Sequence, residues 1–100
     1  MRVVHCSGEL VVTEARLEEG AVVPRHSHPS VQLTVVLRGR LRLLLEGRGE
    51  LVLGPGGYVV VPPGVGHEAV ALEETVVLDA NAPLTEDRRR LLEKLGHHCP

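Results

Sequence analysis

Three histidines and one glutamine carry the chemistry this chain could do. His26 and His28 stand two apart in the stretch Gly20-Ala21-Val22-Val23-Pro24-Arg25-His26-Ser27-His28-Pro29-Ser30-Val31-Gln32. On a strand, residues two apart project from the same face with their Cα atoms about 7 Å apart. Two imidazoles so placed can converge on one ion. Gln32 has the same parity, provided the strand resumes in phase after Pro29. His67 closes a second stretch, Gly56-Gly57-Tyr58-Val59-Val60-Val61-Pro62-Pro63-Gly64-Val65-Gly66-His67, whose glycine and proline turn delivers it to the start of another strand. Three neutral imidazoles and one amide oxygen suit a divalent transition metal: Fe, Mn, Ni, Zn or Cu. At least one coordination position is then left open for water or substrate, as in a catalytic site. A His-x-His pair by itself is weak, since such pairs also occur on ordinary surface strands.

These residues must be held by short strands. Leu10–Leu17, Ala21–His28, Val31–Arg38, Arg40–Glu46, Glu50–Leu53, Tyr58–Val61, Glu68–Leu72 and Thr75–Asp79 are each rich in Val or Leu and bounded by Gly, Pro or charged turns. Arg38-Gly39-Arg40 and Glu46-Gly47-Arg48-Gly49 read as hairpin tips, where glycine supplies the positive φ of a tight turn. The expected fold is all-β, an antiparallel sandwich or barrel. After Asn81-Ala82-Pro83 the character changes. Thr85 can cap a helix, Glu86 and Asp87 suit its positive end, and Gly96 suits its stop. Leu91, Leu92 and Leu95 form a stripe that should dock on the barrel. Arg88-Arg89-Arg90 reads as a solvated helix face, with Glu86–Arg90 and Arg89–Glu93 at the supportive spacing of four.

The strand Val31–Arg38 bears Val31, Leu33, Val35 and Leu37 on one face and Gln32, Thr34, Val36 and Arg38 on the other. One face lines the core, so the other leaves an apolar surface exposed, which usually marks a partner site. The expectation is a homodimer in which this sheet packs on its mate or is covered by an exchanged N-terminal strand.

Composition narrows the function. The 100 residues suffice for one domain, with a barrel over 1–80 and a helix over about 85–96. Val and Leu dominate the apolar residues, Ile, Phe and Trp are absent, and Tyr58 is the single aromatic. A ligand held by ring stacking and a single-stranded nucleic-acid platform are both disfavoured. A net charge of -2 argues against nucleic acid as the main partner. No run is long enough to span a membrane, and no apolar N-terminal block marks secretion, so a cytoplasmic address is the default. Cys6 and Cys99 are no disulfide framework of a secreted miniprotein. His97, His98 and Cys99 form a small metal-attracting cluster, more simply read as a frayed tail.

Together the two histidine stretches resemble the cupin family, the RmlC-like jelly-roll superfamily. Its first motif reads Gly, five residues, His-x-His, three or four residues, an acidic ligand, six residues, Gly; here the positions are Gly20, His26, His28, Gln32 and Gly39. Its second reads Gly, five residues, Pro-x-Gly, two residues, His, three residues, Asn; here they are Gly56, Pro62-Pro63-Gly64, His67 and Ala71. Every spacing matches, over about half the chain. The resemblance implies a double-stranded β-helix with a short C-terminal helix and a metal held by His26, His28, Gln32 and His67. Two positions depart from it: Gln32 stands for the usual glutamate and Ala71 for the asparagine. Glutamine can still coordinate through its carbonyl oxygen. It removes a negative charge, so the site retains more of the ion's charge and favours an anionic ligand.

The fold does not choose the reaction. The leading expectation is a metal-dependent enzyme, an oxidoreductase or lyase of dioxygenase- or decarboxylase-like chemistry, acting on a small anionic oxygen-bearing substrate. The alternatives are a non-enzymatic small-molecule-binding or sensor protein and a metal-free structural barrel. Tyr58 and Arg42 are candidate substrate contacts, and Arg25 is a further anion-binding candidate. No obvious general base is legible near the site.

Overall fold

The structure is a computed structural model that describes residues 1–97 and 99. Nine strands precede one helix: β1 (Arg2–Cys6), β2 (Val11–Leu17), β3 (Val22–His26), β4 (Val31–Arg38), β5 (Leu41–Leu45), β6 (Gly49–Leu53), β7 (Tyr58–Val61), β8 (His67–Ala71), β9 (Thr75–Ala82) and α1 (Glu86–Lys94). They form a five-stranded sheet in the order β1-β2-β9-β4-β7 and a four-stranded sheet in the order β3-β8-β5-β6. Every pairing within them is antiparallel. This is the expected jelly roll.

Strand parity decides what each sheet buries. β5 turns Leu41, Leu43 and Leu45 inward, β7 turns Val59 and Val61, and β8 turns His67, Ala69 and Ala71. With Val36 and Val77 the apolar members of this set, Ala71 aside, close one core between the sheets. β4 turns Gln32, Thr34 and Val36 inward, so two of its three buried side chains are polar. That breach of the apolar pattern marks where the core gives way to a site.

Several local expectations need correction. Arg38-Gly39-Arg40 is not a hairpin tip, because β4 and β5 belong to different sheets and the chain crosses between them there. Gly39 has φ +90°, and a Cβ at this position would stand 2.7 Å from Thr75 Cα. Close approach of the β8–β9 turn thus demands glycine as much as backbone sign does. Glu46-Gly47-Arg48-Gly49 does close a hairpin, joining β5 to β6. β1 was not among the expected strand segments, being mostly exposed with no clean alternation. It pairs with β2 of its own chain.

Thr85 caps α1 by accepting the Arg88 N–H at 3.3 Å, and Gly96 at φ +87° ends it. The leucine stripe docks only in part. Leu92 is fully buried, whereas Leu91 and Leu95 are 50% and 55% exposed. A short helix over the barrel meets it along one line and buries one side chain. Cys6 and Cys99 form a disulfide with Cα atoms 5.3 Å apart, joining β1 to the segment after α1. The sequence separation of 93 positions hid this pairing. The segment is further held by Arg89 Nη1, which donates to the Cys99 carbonyl at 2.8 Å. Cys99 is therefore not a free metal-attracting thiol, and His98 of the expected terminal cluster lies outside the described residues. Among the described residues, no helix is long and apolar enough to cross a membrane.

Candidate metal centre

His26 and His67 are direct cross-strand partners on β3 and β8, and His28 lies just beyond the end of β3. β3 is irregular between Val23 and His26. Pro24, which has no N–H to give to a ladder, sits in that irregularity and re-aims the chain end. The ring centroids of His26 and His67 are 4.2 Å apart, those of His28 and His67 5.3 Å, and those of His26 and His28 5.7 Å. One ring nitrogen from each lies within 4.8 Å of the other two.

The rings are held by their own backbone. His26 Nδ1 lies 2.9 Å from the Pro24 carbonyl and His67 Nδ1 lies 3.0 Å from that of Val65. A carbonyl only accepts, so each Nδ1 carries the proton and each Nε2 presents a lone pair. His28 Nδ1 meets both the carbonyl and the hydroxyl of Ser30 at 3.1 Å, which serves either tautomer. His67 Nε2 is buried and has no hydrogen-bond partner. Burial, foremost, holds the His67 pKa below its ordinary value, with the nearby imidazoles adding to the effect. The ring is therefore neutral at pH 7 and able to ligate. His28 Nε2, 2.8 Å from the Gln32 amide oxygen, donates to it here. An orphaned imidazole lone pair on His67 beside two further imidazoles, with an amide oxygen adjacent, fits a divalent transition metal.

That amide belongs to Gln32, which is buried on β4. Gln32 Oε1 is 2.8 Å from His28 Nε2, Gln32 Nε2 donates to Thr34 Oγ1 at 2.8 Å, and Thr34 Oγ1 donates to Asp79 Oδ1 at 2.6 Å. The β4–β9 register makes the chain possible, because it sets Gln32 opposite Asn81 and Thr34 opposite Asp79. Behind the histidines lies a cavity of about 160 Å³, to which His26, Gln32, Thr34, His67, Asp79, Asn81 and Arg88 contribute. Burial, foremost, raises the Asp79 pKa, and the Thr34 hydrogen bond and the Arg88 charge partly offset that. A second, open cavity of about 400 Å³ separates His26, Ser27, His28 and Pro29 from Thr85, Asp87, Arg88 and Leu91. The helix therefore overhangs the histidine end of the barrel.

The structure thus gathers His26, His28, Gln32 and His67. It does not bring Tyr58 or Arg42 to them. Tyr58 is 67% exposed on the outer face of β7, and Arg42 pairs with Glu50 at 3.0 Å on the opposite sheet's outer face. Arg25 lies outside the main cavity and pairs with Glu46 at 2.5 Å across Gly66. Three site residues escaped the sequence. Asp79 brings a carboxyl group to the cavity, Asn81 adds an amide whose Oδ1 is buried and unpartnered, and Arg88 leaves the solvated face assigned to it. An aspartate within a Val/Leu strand was the one signal available for the first. Ala71 does share the inward face of His67, as parity indicated.

Two facing antiparallel sheets with a histidine cluster at one end define the architecture of a cupin. The Cupin domain family matches residues 7–80, and the chain belongs to that family. Among solved structures it is similar to KdgF from Halomonas sp., with 32% identity, a TM-score of 0.80, and coverage of 86% of this chain and 81% of that one. It is similar also to an RmlC-like cupin from Shewanella frigidimarina, with 30% identity, a TM-score of 0.75, and coverage of 80% and 71%. The DMSP lyase DddQ from Ruegeria pomeroyi shares 25% identity at a TM-score of 0.74, over 85% of this chain and 49% of that one. No curated protein sequence matches the chain significantly.

Proposed function

We propose that this single-domain cupin is a metal-dependent enzyme acting on a small anionic substrate, with His26, His28, His67 and the Gln32 oxygen as metal ligands. The observation that carries the reading is the buried, unpartnered His67 Nε2, neutral and facing the cavity with two further imidazoles beside it. Backbone carbonyls that take the Nδ1 protons are the usual outer support of metal-ligating histidines. A bound ion would polarise a substrate oxygen as a Lewis acid and leave its identity, among Fe, Mn, Ni, Zn and Cu, to be measured.

The rest of the chemistry falls to protein groups. Arg88 is half-buried at the cavity and has no carboxylate within ion-pairing distance among the described residues. It is placed to neutralise a substrate carboxylate. Asp79, with its pKa raised by burial, is placed to take a proton from substrate and return it. An acid–base residue in the cavity favours a lyase over an oxygenase, and one similar structure is a lyase.

Metal analysis of protein purified without an affinity tag tests the first part. A transition ion should be present at near one per chain and lost in the His26→Ala/His28→Ala variant. A panel of small hydroxy-, keto- and unsaturated carboxylates, run with each reconstituted metal, tests the second. Turnover abolished by Asp79→Asn supports the lyase reading. Uniform silence supports the alternative, a small-molecule-binding or sensor cupin.

We also propose a homodimer through the outer face of the five-stranded sheet. Val31, Leu33, Leu37, Tyr58 and Val60 are all exposed there, and Leu33 lies opposite Val60. Light scattering should give twice the chain mass, and Leu33→Glu should halve it.

A further inference from the structure

We infer that Thr34 is a positioning residue, locked by Asp79, that fixes the Gln32 amide so that its oxygen and not its nitrogen faces the histidines. The inference rests on the proposed metal site and deepens it.

A glutamine amide is nearly symmetric in shape but opposite in polarity at its two ends. Only the oxygen has a lone pair for a cation; the NH2 group would repel one. Something must therefore decide which end faces His26, His28 and His67. The strand cannot do so, because it sets the direction of the side chain and not the rotation of its terminal amide. The decision falls to what the far end of the amide meets, and that is Thr34 Oγ1 at 2.8 Å.

A hydroxyl alone would not decide either, since it can donate or accept. Its own proton is committed elsewhere: Thr34 Oγ1 donates to Asp79 Oδ1 at 2.6 Å. Asp79 Oδ1 is the acceptor of that bond. With its single hydrogen engaged, the hydroxyl offers Gln32 nothing but lone pairs, so Gln32 must turn its NH2 group toward it. The carbonyl oxygen is then left on the histidine side, 2.8 Å from His28 Nε2. The reversed amide would oppose two acceptors at hydrogen-bond distance, a costly contact at Thr34, which is only 3% exposed. Polarity is thus passed from β9 through β4 to the site, through side chains and no backbone group.

The chain's composition makes this measurable. It has one glutamine and one asparagine, so only two side-chain NH2 pairs occur in an amide spectrum. In the metal-free protein, the Gln32 pair should exchange slowly with solvent in wild type and in Thr34→Ser, which keeps the hydroxyl. It should exchange at least ten times faster in Thr34→Val, which keeps the shape and loses the hydroxyl. Co2+ then supplies a second reading that does not depend on turnover. Its affinity should fall roughly 10- to 100-fold in Thr34→Val, as for other outer supports of metal ligands. Thr34→Ser should bind within about threefold of wild type, with the same visible Co2+ spectrum.

Because Thr34 acts through Gln32, Thr34→Val should add no further loss in a Gln32→Ala background. A Gln32 NH2 pair indifferent to Thr34→Val overturns the inference, and so does a full additional loss in that background. A wild type with an ordered Gln32 amide and no affinity for Co2+ overturns the metal reading instead.

Discussion

Thr34 and Asp79 face each other across β4 and β9, and the threonine hydroxyl donates to the aspartate at 2.6 Å although the two stand 45 positions apart. This contact joins the strand that carries Gln32 to the strand that carries the aspartate of the cavity lining. It also places a mostly buried carboxylate within the field of Arg88 and the imidazoles.

The first prediction concerns that carboxylate. Asp79 has a folded-state pKa above its ordinary value, so the native state binds the proton more tightly than the unfolded chain does. The resulting stabilisation is complete below the ordinary value of 3.8 and is lost as pH climbs through the raised one. As pH rises above the ordinary value, the metal-free protein therefore bears a cost at Asp79 that Asp79→Asn avoids, while the Asn oxygen still accepts from Thr34. The variant should melt a few degrees above wild type at pH 7, and the gap should close as the pH approaches 4. Equal melting curves at both pH values would refute the assignment.

The second concerns Gly39, where positive φ and the nearby Thr75 backbone act together. Alanine there meets backbone, which cannot rotate away. Strain and overpacking should cost about 2–4 kcal/mol. For a domain of this size that is roughly 10–20 °C in Tm. A calorimetric Tm within 3 °C of wild type would contradict the geometry.

Gly66 offers the contrasting case. A Cβ there would stand 2.8 Å from both Arg25 Nη2 and Glu46 Oε2, which are the ends of flexible, half-exposed side chains. They can part, and an exposed ion pair contributes at most about 1 kcal/mol. Gly66→Ala should therefore lower stability by less than about 1 kcal/mol in a urea titration. A loss as large as that of Gly39→Ala would show that the Arg25–Glu46 pair is a structural clamp on the start of β8.

The disulfide supplies the fourth. α1 buries only Leu92, so the Cys6–Cys99 link is a principal tie between the C-terminal segment and the barrel. Reduction, or Cys99→Ser, should lower stability by about 2–4 kcal/mol. Amide exchange should quicken first in Leu91–Leu95, with β4 and β5 still protected. Unchanged protection of those helix amides on reduction would show that Leu92 alone holds the helix.

Much of the site was readable before folding, because it depends on local rules. Parity puts His26 and His28 on one face, glycine and proline turns start β8 at His67, and motif spacing draws Gln32 into the same set. Strand character followed from Val and Leu runs, and Thr85 and Gly96 bounded the helix correctly. What remained hidden depends on pairing between distant segments. Asp79 and Asn81 enter the cavity only because β9 lies beside β4 in a particular register; a slip of one residue would turn both outward. Arg88 joins them because α1 overhangs the histidine end of the barrel, and Cys6 finds Cys99 because the segment after α1 returns to the end of the edge strand β1. Short-range spacing is a property of the chain, whereas register and docking are settled by burying one continuous core. The chain alone therefore named the candidate ligands, and the tertiary structure chose the groups that surround and orient them.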